Sequence, residues 1–224
     1  MLGHDAVFGL GRVGLDGLVQ IRDATPGELA VVGDIRIGAY QAGGFISPDS
    51  GYAPMLRGLG VDGTGHVLVA CLPENGDRPA DDEPRAAGPG DGERARDSEP
   101  RAAGPGDGER IVGTIMLQMW PNCGPVVAGP DEAEIRALAV RPQVQGQGVG
   151  RQLLIRLIER ASGLGVRHLV LCTEPGMRAA HRLYEQAGFV RLPERDWSPA
   201  PEVALLVYGL RLDRGTCPEG GTSS

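Results

Sequence analysis

A glycine-rich run from Gln145 to Gly150, with the sequence QGQGVG, is the stretch of this chain whose residue types and spacing most directly suggest chemistry. It lies between a predicted strand and a predicted helix. Glycines at such a turn let the backbone approach a ligand closely, and the free N–H groups and dipole of the helix N-terminus attract an anion. The run is typical of a dinucleotide turn or a phosphate site, although a tight connection without a ligand has the same features.

The position of this run in the chain and the charge around it bear on which kind of ligand site it could form. A Rossmann turn follows an N-terminal strand of a parallel sheet, whereas this run comes late, after a predicted antiparallel meander. The segment 136–195 holds ten arginines and four acidic residues, a charge of +6 that leaves −13 for the rest of a chain whose net charge is −7. Arginines around a glycine-rich helix start suit a ligand with several phosphates, although a solvated basic surface has the same composition.

The elements that position the run alternate between strand and helix patterns, which predicts one mixed α/β domain. Strand segments alternate or are continuously apolar, and helical segments carry apolar residues every three or four positions. The predicted strands are 18–23, 66–72, 111–120, 132–140, 168–173, 189–192 and 203–212, and the predicted helices are 25–40, 48–59, 148–162 and 177–187.

The segment 74–110 differs from the rest, because between its two end residues it has no large apolar side chain or cysteine. Within it the sequence EPRAAGPGDGER occurs twice, at 83–94 and 99–110. Such a segment cannot bury enough apolar surface to offset the entropy of ordering it. We expect a disordered insertion between two hairpin strands, inside a domain spanning 18–213, with flexible ends at 1–17 and 214–224.

Composition excludes several classes of protein. All 22 basic residues are arginine, which excludes a P-loop NTPase and a Schiff-base enzyme, since both need lysine. The negative net charge argues against a general nucleic-acid binder. The four cysteines and four histidines are scattered, so no metal site is predicted. The longest apolar runs are too short for a membrane span, and we expect a cytoplasmic protein.

Three motifs at this spacing resemble the GCN5-related N-acetyltransferase (GNAT) superfamily: Val140-Arg141-Pro142, Gln145-x-x-Gly148-x-Gly150, and Leu183-Tyr184-x-x-x-Gly188-Phe189. The resemblance implies a mixed, mostly antiparallel sheet, splayed at its centre and flanked by helices on both faces. It also implies acetyl-CoA as the donor and an amine as the acceptor. We expect a monomer or homodimer.

Carried over by position, the resemblance implies a set of cofactor-binding residues. The backbone of Leu138, Ala139 and Val140 would pair with pantetheine, and an N–H group near Leu138 and Ala139 would hold the tetrahedral oxyanion. Arg151, Arg178 and Arg182 would reach the adenosine phosphates, with an ordinary surface arginine as the alternative role of each. Many relatives have Asn where this chain has Met177, so a side-chain hydrogen bond to the cofactor is not expected there. The residues expected around the pyrophosphate are Gln145, Gly146, Gln147, Gly148, Val149, Gly150 and Arg151.

The reaction needs a base and an acid. An alkyl ammonium has a pKa near ~10.4, so its deprotonation at pH 7 costs about 4.6 kcal/mol, and a carboxylate can take that proton. Glu134 is the predicted base, on a strand face expected to include Leu138 and Val140, with Glu132 as the alternative. Tyr184 is the predicted acid for the leaving thiolate. The alternative interpretation of Glu134 is a solvated carboxylate without a catalytic role. That of Tyr184 is a tyrosine of the core.

Two functions stay open at this point. The first is transfer of an acetyl group to a primary amine by direct attack in a ternary complex. The second is a non-catalytic domain that binds acetyl-CoA as a regulatory sensor. The acceptor itself is not identified, but segments 43–59 and 121–130 are expected to border its side of the site.

Overall fold

A computed structural model of the chain describes residues 15, 17–73, 108–200 and 203–212. The strands within these residues are β1 Gln20–Asp23, β2 Gly65–Pro73, β3 Glu109–Met119, β4 Glu132–Val140, β5 His168–Thr173, β6 Val190–Arg191, β7 Trp197–Ala200 and β8 Val203–Arg211. They form one sheet with the order β1-β2-β3-β4-β5-β8-β6, and β7 pairs with β8 outside this path. The α-helices are α1 Leu29–Ala42, α2 Ala53–Gly58, α3 Val149–Gly163 and α4 Arg178–Gln186.

The sheet is antiparallel between every described pair of strands except β4 and β5, which run parallel. That parallel pair is connected through α3, as a parallel connection requires. Four pairs of residues join β4 to β5, and the last is Ile135 with Leu171. Beyond it the strands separate, which confirms the mostly antiparallel sheet splayed at its centre.

Helices cover both faces of this sheet, as predicted. On one face, α3 buries Leu153, Leu154 and Leu157 against β2, β3 and β4. On the other, α1 buries Val32 and Ile35 against the opposite side of the same strands. Each fully buried side chain of this size contributes roughly 1.5–3 kcal/mol, so these two layers hold β4 in place from both sides.

The element boundaries follow the predicted ones closely in the centre of the chain. β4 and β5 have the predicted bounds, and α3 and α4 differ by one residue at each end. α1 begins at Leu29, because Pro26–Glu28 forms a 3₁₀ turn in which the Glu28 carboxylate accepts the Thr25 N–H at 2.8 Å. The short strand β7 was not predicted, since it has four residues and contains a proline.

β2 and β3 form the predicted antiparallel hairpin, in which Pro73 pairs with Glu109. Residues 74–107, which include most of the repeat, lie outside the described residues, as do 1–14 and 213–224. Glu109 and Arg110 belong to β3, so this strand begins inside the segment expected to be disordered. Leu15, also expected in a flexible segment, packs against the α3 layer.

The described residues include no helix long and apolar enough to cross a membrane. They also include no group of three or more His, Cys, Asp or Glu side chains arranged to hold a metal ion.

Candidate active site

A cleft of about 430 Å³ opens where β4 and β5 separate. Arg136 and Cys172, the residues that directly follow the last paired rung, both line it. Residues of α1, of the turn before α3 and of α4 complete its walls. Because β4 pairs with β5 only as far as Ile135, the edge of β4 that faces the cleft offers backbone groups to a ligand.

A β-bulge at Ala137 changes which side chains of β4 share a face. Thr114 pairs with Ala139 and Met116 with Arg136, so β4 carries one extra residue, and Ala137 has φ 51°. An extra residue reverses the alternation of side chains beyond it. Leu138 and Val140 consequently pack on the α3 side, whereas Ala139 packs on the α1 side.

The bulge corrects one expectation from the sequence. Glu134 was expected to share a face with Leu138 and Val140. The structure places Ala133 and Ile135 on the α3 side, together with Leu138 and Val140. Glu134 therefore lies on the opposite face, because a regular alternation does not continue through the bulge.

The first turn of α3 lies at the cleft. Gly148 is the N-cap and has φ 87°, and Gly146 has φ 74°. These left-handed values favour glycine over residues with a Cβ. The Gln145 side chain donates a hydrogen bond of 2.9 Å to the carbonyl oxygen of Val140, which fixes the turn against the end of β4. The N–H groups of the first helical turn have no acceptor within the helix.

Most of the predicted cofactor residues are brought together by this arrangement. The predicted residues that line the cleft are Leu138, Ala139, Val140, Gln145, Gly146, Val149 and Gly150. Gln147, Gly148 and Arg151 are in the same turn but not on the cleft wall, and Arg151 is exposed. Met177 and Arg178 line the wall formed by the start of α4. The turn and β4 together could hold a long phosphorylated ligand, with backbone groups available along its length.

Tyr184 lies on α4, with its ring buried and part of the side chain on the cleft wall. The ring contacts Phe189 and Tyr208, with centroid distances of 5.9 and 6.2 Å. Burial raises the pKa of its hydroxyl above the ordinary value. The ring of Tyr184 is thus packed as in a core tyrosine, and the residue also lines the cleft, so its role as the acid stays a prediction.

Glu134 is buried on β4, two residues before Arg136 on the same face. Its Oε2 accepts the backbone N–H of Gly124 at 2.7 Å, and its Oε1 lies 3.9 Å from Nε of Arg136. Glu134 itself is not among the residues that line the cleft. Within the described part of the chain Oε1 accepts no hydrogen bond, so it is the oxygen that could take a proton.

Glu132, the alternative base, belongs to a different cluster. Its carboxylate bonds Arg195 at 2.9 Å, His168 Nδ1 at 2.8 Å and the Ala128 N–H at 2.7 Å. Desolvation alone would raise its pKa, but these hydrogen bonds outweigh that effect and hold the pKa at about 2. A carboxylate held in this way is a poor proton acceptor near neutral pH, so its surroundings are those of a structural residue.

Several residues of the site were not singled out from the sequence. Tyr40 and Phe45 line the cleft from the α1 side, with ring centroids 6.4 Å apart. Arg136 lines it from β4. Glu174 directly follows β5 but is not on the cleft wall, and burial raises the pKa of its carboxyl group. The sequence signal that could have identified Arg136 is its position two residues after Glu134, on the same face of a predicted strand. Helix and strand patterns alone do not show which face of an element lines a cleft.

The two segments expected on the acceptor side are both near this face. Gly43 and Phe45 line the cleft, and Gly124 contacts Glu134. Val126 and Val127 pack on Val170 of β5. The α1 side of β4 is thus bordered by the end of α1 on one side and by the loop between β3 and β4 on the other.

Comparison with known proteins agrees with this geometry. The model of the acetyltransferase (GNAT) family matches residues 67–189, which is more than half of the chain. The chain therefore belongs to the GNAT acetyltransferase family, whose members use acetyl-CoA. Two amino-acid acetyltransferases of Neisseria meningitidis, from serogroups A and B, are each 41% identical to it over 68 residues. That match covers 30% of this chain and only 16% of each relative's length.

Solved structures share the fold. A GNAT-family acetyltransferase from Staphylococcus aureus superposes with a TM-score of 0.57 at 15% identity, covering 87% of this chain and 99% of the other. An acetyltransferase from Salmonella typhimurium, solved with acetyl-CoA, gives 0.54 at 21% identity, covering 92% and 100%. At these identities the likeness concerns the fold alone, and the family membership rests on the sequence match.

Proposed function

We propose that this protein is an N-acetyltransferase that moves the acetyl group of acetyl-CoA to a primary amine by direct attack within a ternary complex. The amine nitrogen attacks the thioester carbonyl carbon, a C–N bond forms and the C–S bond breaks. An ammonium acceptor and acetyl-CoA thus give an N-acetyl amide, free CoA thiol and one proton. The observation that supports the proposal is the cleft at the β4–β5 split, which is lined by the free edge of β4 and by Tyr184, with Glu134 off the wall and two residues before Arg136.

Donor binding is assigned to the backbone. The exposed edge of β4 at Leu138, Ala139 and Val140 would pair with the pantetheine amides, and the turn before α3 would hold the pyrophosphate. The oxyanion that forms on the thioester carbonyl would accept a hydrogen bond from an N–H group near Leu138 and Ala139. Donors fixed in a strand and a helix start need little reorganisation when the charge develops.

Glu134 is the proposed proton acceptor for the amine. The N–H of Gly124 bonds its Oε2, while Oε1 accepts no hydrogen bond from the described residues and lies 3.9 Å from Nε of Arg136. Since Glu134 is not on the cleft wall, a water molecule is the simplest carrier of the proton between the amine and this oxygen.

Tyr184 is the proposed partner of the leaving sulfur. A thiol has an ordinary pKa of about 8.5 and tyrosine one of about 10, and burial raises the pKa of Tyr184 further. The hydroxyl is therefore better suited to donate a hydrogen bond to the developing thiolate than to give up its proton completely.

A direct test incubates the full chain with acetyl-CoA and a panel of primary amines, and follows the N-acetyl products by mass spectrometry. Product masses are preferable to a thiol dye, because the chain has four cysteines of its own. An amine acetylated faster than in the enzyme-free control supports the proposal. Tight binding of acetyl-CoA with no product from any amine would instead identify a non-catalytic acetyl-CoA-binding domain.

The relatives suggest which amines to include. Two of them are amino-acid acetyltransferases, so free amino acids belong in the panel beside simple alkylamines and peptides with a free N-terminus.

A further inference from the structure

Arg136 occupies a distinctive position on β4. It is the first residue after Ile135, the last residue of β4 to pair with β5, and it lines the cleft. It also pairs across to Met116 of β3, on the face that α1 covers. Arg136 therefore lies where the sheet opens, two positions before the strand segment proposed to bind pantetheine.

Among the described residues, the guanidinium of Arg136 has one long ion pair, with Glu134, and no hydrogen bond. Its nearest carboxylate oxygen is Oε1 of Glu134, 3.9 Å away. That carboxylate already accepts the Gly124 N–H at 2.7 Å. The Arg136 side chain is 25% exposed, so its N–H groups can reach a ligand without moving the strand.

Other partly buried arginines of the sheet differ from Arg136 in this respect. Arg22 bonds both carboxylate oxygens of Glu28, at 2.7 and 2.9 Å. Arg191 bonds both oxygens of Asp196, at 2.8 and 2.7 Å. A planar guanidinium matches a carboxylate in this two-bonded geometry. Arg136 has the same donors facing the cleft without such a partner among the described residues.

Arg36 of α1 places a second positive charge behind this wall. Its side chain is fully buried, and one Nη donates to the carbonyl oxygens of Leu56 and Leu59, at 3.3 and 2.7 Å. Its Nε and other Nη have no hydrogen-bond partner among the described residues. Burial, with the charge of Arg136 adding to it, lowers the pKa of Arg36 to about 10, so the group stays charged near neutral pH. Two cations in this corner favour an anionic ligand.

We propose that Arg136 binds a carboxylate of the acceptor, so that the acceptor is a zwitterion carrying its carboxylate close to the reacting amine. This inference rests on the proposed N-acetyltransferase function. The opposite charges of Glu134 and Arg136, on one face of β4, complement the ammonium and carboxylate of an α-amino acid. The carboxylate fixes the acceptor on Arg136 while its amine faces the proton acceptor and the thioester.

The test compares L-alanine, L-leucine, L-glutamate and L-lysine with their α-carboxamides, which keep the amine and remove the charge. Binding to the protein saturated with CoA is measured by calorimetry, and kcat/KM is measured with acetyl-CoA. Wild type is expected to prefer at least one acid over its amide by ~10–100-fold, the range for a hydrogen bond to a charged group. Equal binding and equal kcat/KM for every acid and amide would overturn the inference.

A variant of Arg136 tests whether this residue is the one that binds the carboxylate. Arg136→Gln should reduce the preference for acid over amide to nearly 1 by raising KM for the acid, while acetyl-CoA affinity is unchanged. Arg57→Gln is the control, because Arg57 also carries a positive charge near α1 but is exposed and bonds Asp34 at 2.6 Å. An Arg136→Gln protein that keeps the preference would overturn the assignment.

Failure of the proposed function looks different in the same experiment. A protein that acetylates none of these amines, yet binds an acid and not its amide through Arg136, contradicts the catalytic proposal and supports carboxylate binding. A protein that acetylates acids and amides equally supports the catalytic proposal and contradicts the role of Arg136.

Discussion

The backbone N–H of Gly124 donates a 2.7 Å hydrogen bond to Oε2 of Glu134, which ties the loop between β3 and β4 to the strand. The contact is close enough that a Cβ on Gly124 would lie 3.1 Å from that oxygen. Glu134 therefore holds the loop with one oxygen, while the other lies 3.9 Å from Nε of Arg136 and accepts no hydrogen bond from the described residues. A substitution of Glu134 can therefore change both the loop contact and the proposed proton transfer.

Replacing Glu134 by Gln is expected to separate these roles. The amide oxygen of Gln can still accept the Gly124 N–H, while the group can no longer take a proton. We expect kcat to fall by about 10²–10⁴ with a melting temperature close to that of wild type. Glu134→Ala should lose the loop contact as well, so its melting temperature should fall too. Normal turnover in Glu134→Gln would exclude Glu134 as the base.

Glu132→Gln is expected to show the opposite pattern, a loss of stability with little change in kcat. The pKa of Glu132 is lowered from 4.5 to about 2, so its interactions stabilise the fold above pH 4.5 and that contribution is lost as pH falls toward 2. We estimate about 1–2 kcal/mol at pH 7, reduced from the full linkage value for solvent screening. Urea unfolding at pH 7 and pH 3 should show the difference between wild type and variant shrinking at the lower pH.

Tyr184→Phe is expected to lower turnover by about 10²–10³, the usual effect of removing one hydrogen-bond donor to a developing charge. The ring contacts with Phe189 and Tyr208 remain, so acetyl-CoA affinity and melting temperature should change little.

Tyr208→Phe is the matched control for Tyr184. Its hydroxyl bonds Glu185 at 3.4 Å in the same aromatic cluster and does not line the cleft. Equal turnover in the two variants would show that Tyr184 acts only through packing.

Acetyl-CoA should raise the melting temperature of the protein, by about 5–10 °C at a concentration 100 times its Kd. Gly148→Val should remove this shift, because φ is 87° at the N-cap of α3 and a β-branched side chain is strained there. Gly165→Val is the control: Gly165 has φ 81°, with open space around it, after the far end of α3. It should lower stability by a similar amount and keep the shift. Loss of the shift in both variants would attribute the effect to α3 strain instead of the cofactor turn.

Residues 75–107 should be replaceable by a short turn, because Pro73 and Glu109 are already paired across the hairpin. Loop-closure entropy grows slowly with length, so shortening to about four residues gains at most ~2 kcal/mol. Urea unfolding and acetyl-CoA binding of the shortened chain test this. A loss of cofactor binding would show that the segment has a structural role.

Local patterns were sufficient for much of the fold. The apolar stripe of α3, the buried run of β5 and the glycines before α3 depend on neighbours in sequence, so helix, strand and turn could be predicted there. The same is true of the cofactor turn, since the positive φ values of Gly146 and Gly148 are a property that glycine itself permits. The order of these elements, with the motifs they carry, was enough to indicate the family.

The arrangement of β4 was decided only in the tertiary structure. Its bulge at Ala137 arises from the register with β3, a partner some 20 residues away in the sequence. The local alternation of apolar and polar residues does not predict this bulge. That one extra residue places Glu134 and Arg136 on the α1 face and Leu138 on the other, and pairing that stops at Ile135 leaves Arg136 at the opening. Which charged side chains meet in the cleft therefore depends on long-range pairing, whereas the elements that carry them are determined locally.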